Sequence, residues 1–87
     1  MAADAGGAGM SHFDVLTVGS VCIKVSEGQS ILIRNYFTGS YDEHAEASVI
    51  CNRLKYMPDL CGATVCGISV VDESVCIDYF YDDQVKG

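Results

Sequence analysis

The chain has 87 residues, 49% of them apolar and 20% charged, which is the composition of a folded globule and too short a length for two separate cores. Twelve acids against five bases leave a formal charge of −7. A field of that sign repels phosphate backbones and excludes direct nucleic-acid binding, while it steers the chain toward basic protein surfaces, including the grooves of proteins that handle nucleic acid.

Residues 1–11 are rich in Ala and Gly and read as a flexible leader, with neither the apolar core of a signal peptide nor the Arg and Ser of a transit peptide. Residues 12–87 are expected to form a single domain. No run approaches the roughly 20 apolar residues of a membrane span, and the five cysteines are odd in number, so reduced thiols and a cytoplasmic location are expected.

From Phe13 to Val25 the apolar residues fall mainly on odd positions, the period-two pattern of a half-buried strand, with Gly19-Ser20 as its weak point. A three-residue loop, Glu27 to Gln29, would lead into a second strand, Ile31–Phe37, placing Val25 opposite Ile31 and Ile23 opposite Ile33. Ser40 and Glu43 then match a capping box, and Ala47, Ile50, Cys51 and Leu54 recur at helical spacing, so a helix is expected from Tyr41 to about Tyr56. Asp42, Glu43 and Glu46 would sit at its positive end, and Pro58 forbids its continuation.

Strands are expected again at Thr64–Val71 and Ser74–Tyr81. A two-residue turn at Asp72-Glu73 would pair Val70 with Val75, Ile68 with Ile77 and Cys66 with Tyr79 on one face. The other face, with Gly67, Ser69, Cys76, Asp78 and Phe80, would meet water. The result is an α+β domain of two layers, ββαββ, in which one helix packs on one face of an antiparallel sheet. Its bare edges and uncovered face make homodimerisation a natural expectation.

No chemistry-bearing motif is specific. Cys61, Cys66 and Cys76 lack the spacing of a zinc knuckle, and the hairpin register would turn Cys66 and Cys76 to opposite faces. His44 has no cysteine within reach, and Asp82 and Asp83 are neighbours on a strand and would point apart. No glycine-rich phosphate loop, nucleophile elbow or helical zinc motif is present. The chain is therefore read as non-enzymatic, without cofactor or metal. Tyr and Phe interleaved with acids would instead form an interaction patch. Its residues are Asp72, Glu73, Asp78, Phe80, Asp82 and Asp83 on the hairpin, with Asp42, Glu43 and Glu46 at the helix start.

The run Asn35-Tyr36-Phe37-Thr38-Gly39, followed by Glu43-His44-Ala45-Glu46-Ala47 and closing on Asn52-Arg53-Leu54, resembles a pattern of small acidic phage and mobile-element proteins, anti-CRISPR proteins among them. The resemblance implies a stoichiometric inhibitor that presents negative charge to a basic, nucleic-acid-handling protein and occludes it. The alternative is a small homodimeric subunit of a larger assembly, joined through a sheet edge.

Overall fold

A computed structural model describes residues 16–85; the expected leader, His12 and the first residues of the expected N-terminal strand lie outside them. In chain order the elements are α1 (Val18–Cys22), β1 (Ser30–Asn35), β2 (Tyr41–Glu46), α2 (Ala47–Leu54), α3 (Pro58–Cys61), β3 (Thr64–Val71), β4 (Ser74–Phe80) and a 3₁₀ turn (Asp82–Val85). The fold is α+β, with a four-stranded sheet in the order β2-β1-β4-β3. Each hairpin is antiparallel, but β1 and β4 lie side by side in parallel, with Ile31 opposite Val75 and Ile33 opposite Ile77. The sheet is therefore mixed, which corrects the expected antiparallel arrangement.

The expected N-terminal strand is also corrected. Thr17 caps α1, accepting from the Ser20 amide while the Ser20 hydroxyl accepts from the Thr17 amide, a reciprocal arrangement that satisfies two amides at the helix start. Val18, Val21 and Cys22 are buried at helical spacing, and Ile23, expected to face inward, is 72% exposed. Val18 and Cys22 are out of phase with the odd-numbered apolar residues of the expected strand, while Val18, Val21 and Cys22 recur at helical spacing behind the Thr17 cap. Ile31 and Ile33 consequently find their partners on β4 and β2.

A third correction falls on Tyr41–Glu46, expected to be helical and observed as an edge strand. The reversal that precedes it overrides the local helix preference: the Asn35 carboxamide oxygen accepts from the amides of Phe37 and Thr38, and Gly39 takes φ +74°, a conformation glycine adopts without strain. Ser40 bonds Thr38 instead of capping a helix. Helix α2 starts only at Ala47, with Glu46 at its N-cap and no side-chain cap bond. Asn35 is itself buried, and its carboxamide exchanges hydrogen bonds with Gln84, tying the hairpin turn to the 3₁₀ turn.

The C-terminal hairpin forms as expected between Val71 and Ile68, with Val70 opposite Val75 and Ile68 opposite Ile77. A bulge between Val65 and Gly67 then shifts the register, so Val65 rather than Cys66 faces Tyr79. The extra residue leaves Cys66 beside the Asp78 carbonyl, 3.5 Å away.

The three helices of the described residues cover one face of the sheet, and the core lies between them and the strands: Val18, Val21 and Cys22 from α1, Ile50 and Leu54 from α2, Leu60 from α3, with Ile31, Ile33, Ile77 and Tyr79 beneath. Pro58 opens α3 at its first turn, where its missing amide costs nothing. The closest approach is between α1 and α3. A Cβ on Gly19 would stand 2.4 Å from Cys61 Sγ and 3.2 Å from its carbonyl oxygen. Gly19→Ala is therefore expected to lower stability by about 1–3 kcal/mol in denaturant unfolding, and Cys61→Ala, which removes the sulfur, should recover part of that loss in the double variant.

Candidate functional site

The structure divides the nine residues of the expected interaction patch among different surroundings. Asp72 and Glu73 form the exposed tip of the β3–β4 hairpin. Glu46 is exposed at the end of β2, opposite Ser30, and the Ser74 hydroxyl donates to Ser30 Oγ. Gln29 Nε2 donates to the Glu73 carbonyl at 2.8 Å, and the Ser48 amide donates to the Glu27 carbonyl. Glu27, Glu46, Asp72 and Glu73 thus gather at one end of the sheet. Asp82 and Asp83 are exposed in the 3₁₀ turn at the opposite end, near Asp59 and Tyr81.

The other carboxylates are engaged within the fold. Arg34 Nε and Nη2 grip the Asp78 oxygens at 2.7 and 3.0 Å, Arg53 holds Glu43 at 2.6 Å, and Asp42 accepts from the Tyr79 hydroxyl. Phe80 stacks edge-on against Phe37 at 6.0 Å. Asp78, Glu43 and Asp42 therefore leave the set of available acids, and the expected single patch becomes two separated acidic ends. Among the described residues no base lies within ion-pair distance of Glu27, Glu46, Asp72 or Glu73. Glu27 carries no local sequence signal beyond that of a connecting loop, and only the bond from the Ser48 amide to its carbonyl brings it to this end.

The face of the sheet away from the helices holds Leu32, Arg34, His44, Cys76, Asp78 and Phe80. Arg34 lies 5.7 Å over the Tyr41 ring, and hydrogen bonding to Asp78, followed by its charge, pushes the guanidinium pKa up. Cys76, expected to meet water, is fully buried between its strand neighbours Leu32 and Ser69. Burial, then the Asp78 charge, raises the Cys76 and Cys66 thiols above their ordinary range. A raised thiol pKa lowers the thiolate fraction and with it the nucleophilicity of both. Among the described residues no group of three or more His, Cys, Asp or Glu is placed to hold a metal ion, and no helix is long and apolar enough to cross a membrane.

The hairpin tip stands out in its backbone. Asp72 and Glu73 take φ +49° and +67°, the left-handed conformation at both central positions that defines a type I′ turn, where Asn-Gly is the preferred pair. An acidic side chain with a Cβ is disfavoured there, glutamate more than aspartate.

No family model matches the sequence, and no curated protein or solved structure is significantly similar to the chain.

The tip conformation has a direct energetic consequence. Glu73→Gly relieves a left-handed glutamate and is expected to stabilise the fold by about 0.5–1 kcal/mol, read as a higher midpoint in urea at unchanged slope.

The buried thiol of Cys22 and the Tyr79 hydroxyl set the alkaline limit. Burial, then the neighbouring Cys51 and Cys61, pushes the Cys22 pKa from 9.0 up to about 12; burial, then the bond to Asp42, raises Tyr79 above its ordinary 10.0. Because both folded values exceed the unfolded ones, their contribution to stability is complete below pH 9 and is lost as pH rises from 9 toward 12. Unfolding free energy measured against pH should hold level to about pH 9 and then fall, and Cys22→Ala should make the first part of that fall shallower.

Proposed function

We propose that this chain is a non-enzymatic binding protein that presents the acidic end of its sheet to a basic surface on another protein, of the kind that handles nucleic acid, and occludes it. The observation that carries this reading is the hairpin tip: two acids are held in left-handed backbone, where Asn-Gly would be more stable, and among the described residues no base lies within ion-pair distance of them. Backbone strain that the rest of a fold sustains is a mark of functional positions. Glu46 and Glu27 on the adjoining strand and loop enlarge the same negative end, and the rigid hairpin holds the tip pair in fixed orientation, which lowers the entropic cost of recognition.

The acids that face Arg34 and Arg53 have a different part. They fix the sheet and helix that carry the tip, so their removal would damage the scaffold and is a poor probe of binding. Neutralising the tip is the cleaner experiment, since Asp72→Asn suits the turn and Glu46→Gln and Glu73→Gln keep the side-chain size. Capture of basic proteins from a host extract by immobilised wild-type chain should weaken at least about tenfold in the triple variant and fall with added salt. A captured set indifferent both to the triple substitution and to salt would overturn the reading.

A further inference from the structure

The two edges of the sheet differ in chemistry. β2 carries Asp42, Glu43 and Glu46, so two β2 edges repel one another, whereas β3 holds no charged residue along Thr64–Val71. Long, uncharged, apolar edges are the ones that pair with other strands. On β3 the helix-side residues Ile68 and Val70 are 53% and 75% exposed, because the helices cover β1 and β4 and stop short of this part of the edge.

The hydrogen-bonding phase of that edge is fixed by the turn. In a two-residue hairpin the flanking residues Val71 and Ser74 form the bonded pair, and alternation then makes Ser69 and Cys76 the next. Val70 and Ile68 therefore direct their amide and carbonyl groups outward. Beyond the bulge the outward position is Val65, whose amide bonds the Leu16 carbonyl at 2.8 Å, next to a bridge between Thr17 and Thr64. The start of β3 is thus taken, and the stretch from Cys66 to Val71 has no strand beside it among the described residues.

We propose that this stretch joins a second copy of the chain, the two β3 strands running antiparallel about a twofold axis at Ser69. In that register Ile68 of each copy lies opposite Val70 of the other, both pairs are in the outward phase, and their side chains meet on the helix side of the joined sheets. The turn of the partner reaches Cys66 and ends before Val65, so Leu16 and Thr17 keep their places. Moving the axis to Ile68 would bring the partner strand onto Val65, and moving it to Val70 would set Ile68 against the charged turn. One register therefore satisfies hydrogen bonding, apolar contact and space together. The other edge strand, β2, carries three acids and the unpaired carboxylates stand at the strand ends, so the pair forms through the neutral β3 edge, and the contact is small enough to be concentration-dependent.

The test is independent of the acidic-tip reading, because salt acts with opposite sign: screening like charges strengthens self-association and weakens binding to a basic partner. Sedimentation velocity on the full chain over a concentration series should show a monomer–dimer equilibrium that shifts toward dimer with salt. Ile68→Lys and Val70→Lys, both at exposed positions, should each weaken it at least about tenfold while the circular dichroism spectrum stays unchanged. The register has its own probe. Residues opposite each other in a non-bonded antiparallel pair have Cα atoms about 4.5 Å apart, within disulfide range. Ser69→Cys, in a Cys66→Ala and Cys76→Ala background that removes the neighbouring thiols, should give a covalent dimer linked through position 69 with a copper oxidant, whereas Val70→Cys in the same background should not. A chain that stays monomeric at high concentration and salt overturns the proposal; if the Ile68 and Val70 amides of that monomer resist hydrogen exchange, the edge belongs to residues before Leu16. A dimer indifferent to both lysine substitutions overturns it equally.

Discussion

The parallel pairing of β1 with β4 holds the molecule together. It joins Ile31–Asn35 to Val75–Tyr79, segments more than forty residues apart along the chain, and among the described residues it is the one strand pairing between two hairpins that would each be marginal alone. Everything polar along the seam is in the same register: Arg34 grips Asp78 from the opposite strand position, Ser74 bonds Ser30, and Asn35 follows beside Tyr79. The apolar partners in that register, Ile31, Ile33 and Ile77, are fully buried beneath the helices. A one-residue slip would turn all of them toward the uncovered face and part Arg34 from Asp78.

That seam also decides which acids remain available. Centring Asp78 beside Arg34 neutralises it in the middle of the uncovered face, and laying Tyr41–Glu46 along β1 carries Glu43 under Arg53 and Asp42 to the Tyr79 hydroxyl. What is left over is determined by geometry: the carboxylates at the two ends of the strands, which no cation of the described residues reaches. The net charge of −7 therefore does not translate into a uniform negative surface. Among the described residues the face away from the helices is close to neutral, with Phe37 edge-on to Phe80 and Arg34 over the Tyr41 ring, and the charge stands at the ends.

The sequence made the C-terminal hairpin legible because its signals are local and mutually consistent: alternation on both sides of a two-residue polar turn, with a register that matches Val70 to Val75 and Ile68 to Ile77. The core stripe of α2, Ala47, Ile50 and Leu54, was legible for the same reason. The N-terminal half was not. Val18, Val21 and Cys22 follow the helical period but are embedded in a longer alternation that ends at Val25, and the deciding feature, the reciprocal Thr17–Ser20 cap, is easily outweighed by a run of β-branched residues. In Tyr41–Glu46 the local preference is helical, and it yields to pairing with β1 once Asn35 and Gly39 have reversed the chain. Of the candidate surface, the tip acids could be identified from their turn position, whereas the loss of Asp42, Glu43 and Asp78 to internal partners depended on long-range pairing that no local pattern encodes. The alternation rule also sent Cys76 to solvent, where the structure buries it.

The same two edges show how the fold divides its protection against indiscriminate pairing. On β2 the charge itself suffices, since acids along a strand edge repel a second copy of the same edge. On β3 protection is only partial: Leu16 and Thr17 cover the start, and the bulge at Cys66 breaks the ladder beyond them, but from Ile68 to Val71 there is neither charge nor proline, and no covering strand among the described residues. Charge at the tip limits what this gap can accept. An incoming strand must pass Asp72 and Glu73, so a long acidic segment is repelled and an open-ended stack of copies accumulates charge at every step. A single twofold pairing uses the gap once and closes it, which leaves both acidic tips at the boundary of the paired stretch rather than buried within it.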